Sequence, residues 1–291
     1  MLAWRKEYIH ANGIRLWTEQ QGEYVPLVLC HGGPGACDNL APVAEMIEDI
    51  ARVYRYDQRG CGKSDATPPY DLNTYLADLD ALRIAWNHER WIVAGHSWGA
   101  SLALAYALRH TGRVAGLILI STNGLEIQNV EYERNCEAKL SFTDFEKLQK
   151  LRCLYRNSSS STRESIQEEI LQLKLKADLA DPATAIGFPH FPCRMNYSVN
   201  RLLTEDWEKF LQQENIEKRI KNLTMPTLIV HGTGDPRPPR GALRLANLLP
   251  LGEFVSLPNV GHYPWLERPT LLKNALRTFI KRFEEWWKEK E

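Results

Sequence analysis

The sequence predicts an α/β domain built on a mostly parallel sheet, flanked by helices and interrupted by an all-helical insertion. Short apolar runs alternate with helix-spaced amphipathic segments through residue 120. The alternation then stops across residues 124–222, where charged, helix-prone stretches replace it, and it resumes at Thr227. Such a rhythm implies parallel strands joined by right-handed crossovers, because each helix must pack back onto the sheet it left. The expected division is a core of residues 1–123 and 223–291 with an insertion of residues 124–222.

Taken in order, Tyr8 to Trp17 alternates around Asn12-Gly13, a hairpin signal, since both central positions of a type I′ turn need positive φ. Pro26-Leu27-Val28-Leu29-Cys30 is apolar throughout, as a strand covered on both faces should be, and it runs into His31-Gly32-Gly33-Pro34-Gly35. Residues 40–50 read as helix, and Arg52 to Tyr56 as a strand ending at Asp57-Gln58-Arg59-Gly60. Leu72, Tyr75, Leu76, Leu79, Leu82 and Trp86 recur at helical spacing. Ile92-Val93-Ala94 then leads into Gly95-His96-Ser97-Trp98-Gly99 and a helix-forming run, followed by a strand at Val114 to Ile120. Within the insertion, helices are expected over Phe142–Leu154 and Glu164–Leu175, with an exposed loop at Asn157 to Thr162 between them. Past it come a strand at Thr227 to Gly232, a helix over 239–249 and a strand at Glu253 to Leu257. A last helix carries Leu272, Leu276, Phe279 and Phe283 on one stripe.

Composition narrows the function. The chain has 291 residues, 44% hydrophobic and 25% charged, ordinary values for one large domain with an insertion. Its 36 basic and 36 acidic side chains cancel, and no basic stripe interleaved with aromatics appears, so no nucleic-acid partner is expected. The N-terminus lacks an apolar signal core, and no run approaches the roughly 20 apolar residues of a membrane span. A cytoplasmic protein with no membrane partner is expected. Cysteines 30, 37, 61, 136, 153 and 193 show no C-x-x-C pair or Cys/His cluster. That spacing predicts reduced thiols, not a disulfide frame or zinc site, and no metal or cofactor. The oligomeric state is left open.

The chemistry is carried by Gly95-His96-Ser97-Trp98-Gly99. A G-x-S-x-G turn between strand and helix lifts the serine hydroxyl above the strand end. Acyl transfer by serine further needs a base, an acid to orient it and donors for the oxyanion. His262, after a glycine in the loop following the last strand, is the candidate base. Asp235, just past the strand at Thr227 to Gly232, is the candidate acid; Ser121-Thr122-Asn123, the other strand end where one could sit, offers nothing ionisable. The oxyanion donors are expected from the backbone N–H of Trp98, the residue after the nucleophile, and of Gly33, since Pro34 has none to give. Gly60-Cys61-Gly62-Lys63-Ser64 imitates a phosphate loop but has Asp57 where that motif needs glycine. Asp57 and Arg59 are instead expected to brace the Gly32-Gly33 loop.

Together, His31-Gly32-Gly33-Pro34-Gly35, Asp57-Gln58-Arg59-Gly60-Cys61-Gly62-Lys63-Ser64, Gly95-His96-Ser97-Trp98-Gly99 and Gly261-His262-Tyr263-Pro264 resemble the proline iminopeptidase group of α/β-hydrolases. The resemblance spans residues 1–122 and 224–291. It implies an eight-stranded, mostly parallel sheet, a Ser97-Asp235-His262 triad, an oxyanion hole at Gly33 and Trp98, and a helical cap over 124–222. The cap departs from the pattern. Proline iminopeptidases hold the substrate's terminal amine on cap glutamates, the first in a motif resembling Glu-Asn-His-Tyr; Arg194-Met195-Asn196-Tyr197 puts a cation there. Hydrolysis of a carboxylic ester or lactone of a bulky small molecule, a macrolide among them, is therefore the first expectation. Phe188, Phe191, Tyr197 and Trp207 are candidates to cover such a substrate or to form the cap's own core. Release of N-terminal proline comes second, and a slow ligand-binding receptor on the same fold is the alternative of another class.

Overall fold

The structure is a computed structural model that describes residues 4–127, 130–185 and 194–288. Strands β1 (Arg5–Ala11) and β2 (Ile14–Gln21) form the expected antiparallel hairpin, with Asn12 and Gly13 both at positive φ in its turn. Then follow β3 (Val25–Cys30), the short helix α1 (Ala41–Glu45), β4 (Ala51–Tyr56), α2 (Leu72–Ala85), β5 (Trp91–His96), α3 (Trp98–Arg109) and β6 (Val114–Ile120). Five α-helices occupy the described part of the insertion: α4 (Val130–Lys139), α5 (Phe142–Asn157), α6 (Ser160–Asp178), α7 (Tyr197–Leu211) and α8 (Ile216–Lys221). The chain closes with β7 (Thr227–Gly232), α9 (Arg240–Leu248), β8 (Gly252–Leu257), α10 (Pro264–Glu267) and α11 (Pro269–Lys288). The eight strands form one sheet in the order β1-β2-β4-β3-β5-β6-β7-β8, antiparallel only where β2 meets β1 and β4.

The unbroken apolar runs follow from burial on both faces. Along β5, Trp91 and Val93 pack into one core with α2 and α3, whereas Ile92 and Ala94 point into the other, with α1 and α11. Alternate residues thus serve opposite layers. The insertion has a small core of its own between α5 and α6 (Leu148, Leu151, Ile166 and Leu173), yet α7 buries Val199, Leu203 and Trp207 in the main core.

Three expectations change. The residue 40–50 helix is only α1 followed by turns, and the Asn157–Thr162 loop shrinks to Ser158 and Ser159 because α6 starts at Ser160. Serine is a favoured N-cap residue, so the polar run starts a helix instead of separating two. Third, Cys37 is disulfide-bonded, whereas Cys30, Cys61, Cys136 and Cys153 are free thiols and Cys193 lies outside the described residues. Pairing is decided by separation in space, which sequence spacing does not record. Among the described residues no helix is long and apolar enough to cross a membrane, and no group of side chains could hold a metal ion.

Candidate active site

The turn after β5 leaves no room for side chains beside Ser97. A Cβ on Gly95 would lie 2.0 Å from the carbonyl oxygen of Gly99, and one on Gly99 would lie 2.0 Å from that of Cys30. This close approach of strand, turn and helix forces Ser97 to φ 55° and ψ −117°, a conformation non-glycine residues avoid at a cost of about 1–3 kcal/mol. The Ser97 N–H is anchored to the carbonyl of Ile120 at the end of β6, 2.9 Å away. Trp98 is the first residue of α3, where backbone N–H groups have no acceptor within the helix.

Asp235 sits in the loop after β7 and His262 in the loop after β8. His262 Nδ1 donates to Asp235 Oδ2 at 2.6 Å, with both side chains shut away from solvent. Burial pushes the Asp235 carboxyl upward, but the charges of His262 and Arg237 outweigh it and hold the group below the ordinary carboxylate range. The acid is therefore ionised, and the shared proton sits on His262 Nδ1. In the neutral form of this ring, Nε2 is the nitrogen that carries the lone pair. Ser97, His262 and Gly33 all line one cavity of about 260 Å³ under α4 and α6. Beneath them His96 Nε2 donates to the His262 carbonyl (2.9 Å), and the two rings lie 4.7 Å apart. Burial first, and then the neighbouring His262, hold His96 far below the usual imidazole range, so this ring is neutral.

The glycine loop is braced differently from expectation. Asp57 accepts from the Asp38 and Lys63 N–H groups and so ties the two loops behind the site together. Arg59 does not reach the glycine loop: its guanidinium is buried on Asp78 of α2, at 2.7 and 2.8 Å. Gln58 does the bracing. Its backbone N–H donates to His31 Nε2 at 3.0 Å, its side-chain amide donates to the His31 carbonyl at 2.8 Å, and its Oε1 accepts from Trp98 Nε1 at 2.9 Å. With Nε2 accepting, His31 must donate from Nδ1 to the carbonyl of Gly32, 2.8 Å away. A trans peptide sets C=O and N–H on opposite sides, so pinning this carbonyl turns the Gly33 N–H away from His31. Nothing in the sequence gives His31 or Gln58 a role, although both lie inside the quoted motifs.

The helices between β6 and β7 contribute more polar groups than expected. Lys174, Asp178 and Tyr132 line the cavity together with Arg237, which follows Asp235 by two residues. Arg194 does not line it: the side chain is 70% exposed and pairs with Glu164 at 2.7 Å. Its neighbour Met195 faces the cavity in its place. Trp207 stacks on Phe210 in the core, and the Tyr197 hydroxyl donates to Glu168. Phe188 and Phe191 lie outside the described residues. Lys63, the cation of the false phosphate loop, lies over the Trp17 ring.

The alpha/beta hydrolase fold family matches residues 25–269. The chain belongs to this family. Within it, the chain is 31% identical over 282 residues to a probable proline iminopeptidase of Leptolyngbya boryana, covering 85% of this chain and 84% of that one. A proline iminopeptidase of Neisseria gonorrhoeae is 37% identical over 118 residues, 38% of each chain. A thermophilic esterase from Thermogutta terrifontis superposes with a TM-score of 0.71 at 21% identity, over 96% of this chain and 99% of the other. At that identity the likeness is one of fold. This α/β-hydrolase is thus a hydrolytic enzyme of the proline iminopeptidase-like group.

Proposed function

We propose that this α/β-hydrolase is a serine hydrolase that cleaves small carboxylic esters or lactones through an acyl-enzyme, with residues 124–222 as a cap over the core. The observation that carries the reading is the 2.6 Å His262–Asp235 hydrogen bond, because it leaves the Nε2 lone pair in the cavity that Ser97 lines. Ser97 Oγ attacks the substrate carbonyl carbon while His262 takes its proton. The N–H groups of Gly33 and Trp98 bind the resulting oxyanion, each donor contributing about 3–4 kcal/mol at the transition state. The C–O bond to the alkoxide then breaks, and the imidazolium protonates the departing alcohol. Water, deprotonated by the same nitrogen, releases the acid. Asp235 stays ionised throughout and stabilises the imidazolium.

Size and charge of the cavity favour a small ester. A volume of about 260 Å³ falls below the usual ~300–1,000 Å³ of drug-sized ligand sites, too little for a macrolide without cap movement. Among the described lining residues the one carboxylate, Asp178, is engaged by Arg237, so an N-terminal ammonium meets no open partner. The second reading, release of N-terminal proline, is favoured by the 31% identity to the Leptolyngbya boryana relative.

Phenyl acetate, a γ-lactone and a proline arylamide assayed side by side test the choice. The ester should exceed the arylamide by at least about 100-fold in kcat/KM, since an ammonium that loses its charged hydrogen bond forfeits up to about 3 kcal/mol. A faster arylamide would overturn the substrate class. Ser97→Ala should abolish turnover and fluorophosphonate labelling with the fold intact, and full activity in that variant would end the serine mechanism.

A further inference from the structure

The loops that carry His262 and Asp235 are both fastened to the cap at the end of α6. His262 N–H donates to the backbone carbonyl of Asp178 at 2.7 Å. Glu267 accepts from the N–H groups of both Ala180 and Gly261, and Lys139 of α4 donates to the carbonyls of Leu179 and Gly234. Inside this seam lies Arg237. Its Nη1 contacts Asp178 Oδ1 at 2.7 Å and Asp235 Oδ1 at 3.3 Å, and the guanidinium lies 4.4 Å over the Tyr132 ring. The Asp235 carboxylate is thus shared between a permanent cation on Oδ1 and His262 on Oδ2.

A permanent cation at that position has an electrostatic cost. It holds Asp235 ionised and oriented, but it also opposes the positive charge that His262 must acquire during proton transfer. Asp178 supplies the compensating negative charge from the cap. We infer that Arg237 and Asp178 are a pair of positioning residues: Arg237 fixes the acid, and Asp178 neutralises Arg237 so that the imidazolium can form. The inference rests on the serine-hydrolase reading above.

Several other groups face His262. From the loop after β7 come Asp235 and Arg237; from β7 and β5 come His231 and His96. Tyr263 adjoins it in its own loop. From the cap come Asp178, Lys174, Tyr132 and Lys139, and Glu267 of α10 holds Gly261. Among these, removal of Arg237 and removal of Asp178 change the local charge in opposite senses. Their effects on the pH dependence must therefore be opposite, which mere loss of packing would not produce.

The readout is the second-order rate of fluorophosphonate labelling at Ser97 against pH, which requires neutral His262 and no knowledge of the substrate. In Arg237→Gln the acid limb should move to higher pH by about half a unit to one unit, since the imidazolium is no longer opposed. In Asp178→Asn it should move to lower pH by a similar amount, and the double variant should return close to wild type. Arg237→Lys, which keeps the charge, should stay on the wild-type limb. Limbs that do not move, or that move in the same direction, would overturn the proposal. Should Asp178→Asn fail to fold, the Arg237→Gln limb alone decides. A wild-type enzyme that takes no fluorophosphonate would instead overturn the serine-hydrolase reading itself.

Discussion

Replacing Asp235 with asparagine should silence this enzyme by moving one proton. In the wild type, Asp235 Oδ1 accepts from the Arg237 backbone N–H at 2.9 Å and from its guanidinium at 3.3 Å, while Oδ2 accepts from His262. Asparagine offers one acceptor and one donor. Both Arg237 groups donate, so the amide oxygen must stay on their side and the NH₂ must turn toward His262. The imidazole then has to accept at Nδ1, and its proton is driven to Nε2, the nitrogen that in the proposed mechanism receives the proton of Ser97. Flipping the amide to avoid this would abandon two buried hydrogen bonds, at about 1–3 kcal/mol for each group left unpaired. The wrong tautomer costs a rate factor of about 10⁴, equivalent to about 5.5 kcal/mol of transition-state stabilisation. Fluorophosphonate labelling and aryl-ester hydrolysis give the rate, and circular dichroism checks the fold. A folded Asp235→Asn protein within about tenfold of wild type would refute the assignment of this carboxylate as the orienting acid.

Gly261→Ala would place a methyl group 2.2 Å from the Asp178 carbonyl and 2.5 Å from the Ala180 N–H, backbone on both counts, so either the His262 loop or the end of α6 must give way. The expected outcome is a loss of about 1–3 kcal/mol in urea denaturation and about 100-fold in ester hydrolysis, and a variant unchanged in both would contradict the tight seam. Acid should also destabilise the fold through His96, which burial keeps neutral when folded but which titrates freely once unfolded. Below about pH 6.5 the unfolded chain binds the extra proton, so stability falls as pH falls, by about 1.4 kcal/mol per unit until the depressed folded-state value is reached. His231, also lowered by burial, adds in the same direction. Denaturation midpoints at pH 7 and pH 5.5 should therefore separate less in His96→Asn than in wild type; equal separation would exclude His96 as a source.

The sheet was legible because a strand covered on both faces cannot hide: Val114 to Ile120 contains no polar side chain, and β6 is buried throughout. Asp235 and His262, which the structure joins, stand out for a related reason, as each lies in the loop after a strand and directly follows a glycine. What escaped was anything fixed by contact between distant segments. Arg237 lies two residues from Asp235 in sequence, but its partner Asp178 arrives from 59 residues upstream through the packing of α6. Gln58 looks like a spacer between Asp57 and Arg59 until the fold brings it against His31 and Trp98. The cysteines misled in the same way. Between β6 and β7, the polar run before α6 carries a helix-start signal that looks the same as a break, since serine serves both purposes.

Strands β6 and β7 hydrogen-bond side by side, with Leu117 opposite Thr227, although the whole helical insertion hangs between them. Closing such an excursion costs entropy that rises only with the logarithm of its length, about 0.6 kcal/mol for each doubling. The scaffold is therefore nearly indifferent to what is looped out at that junction. Mutation can enlarge, trim or recharge the excursion while the strand pairing beneath it survives, so long as a few anchors such as Asp178 persist. Chains sharing this sheet are then free to diverge in diet far faster than in reaction.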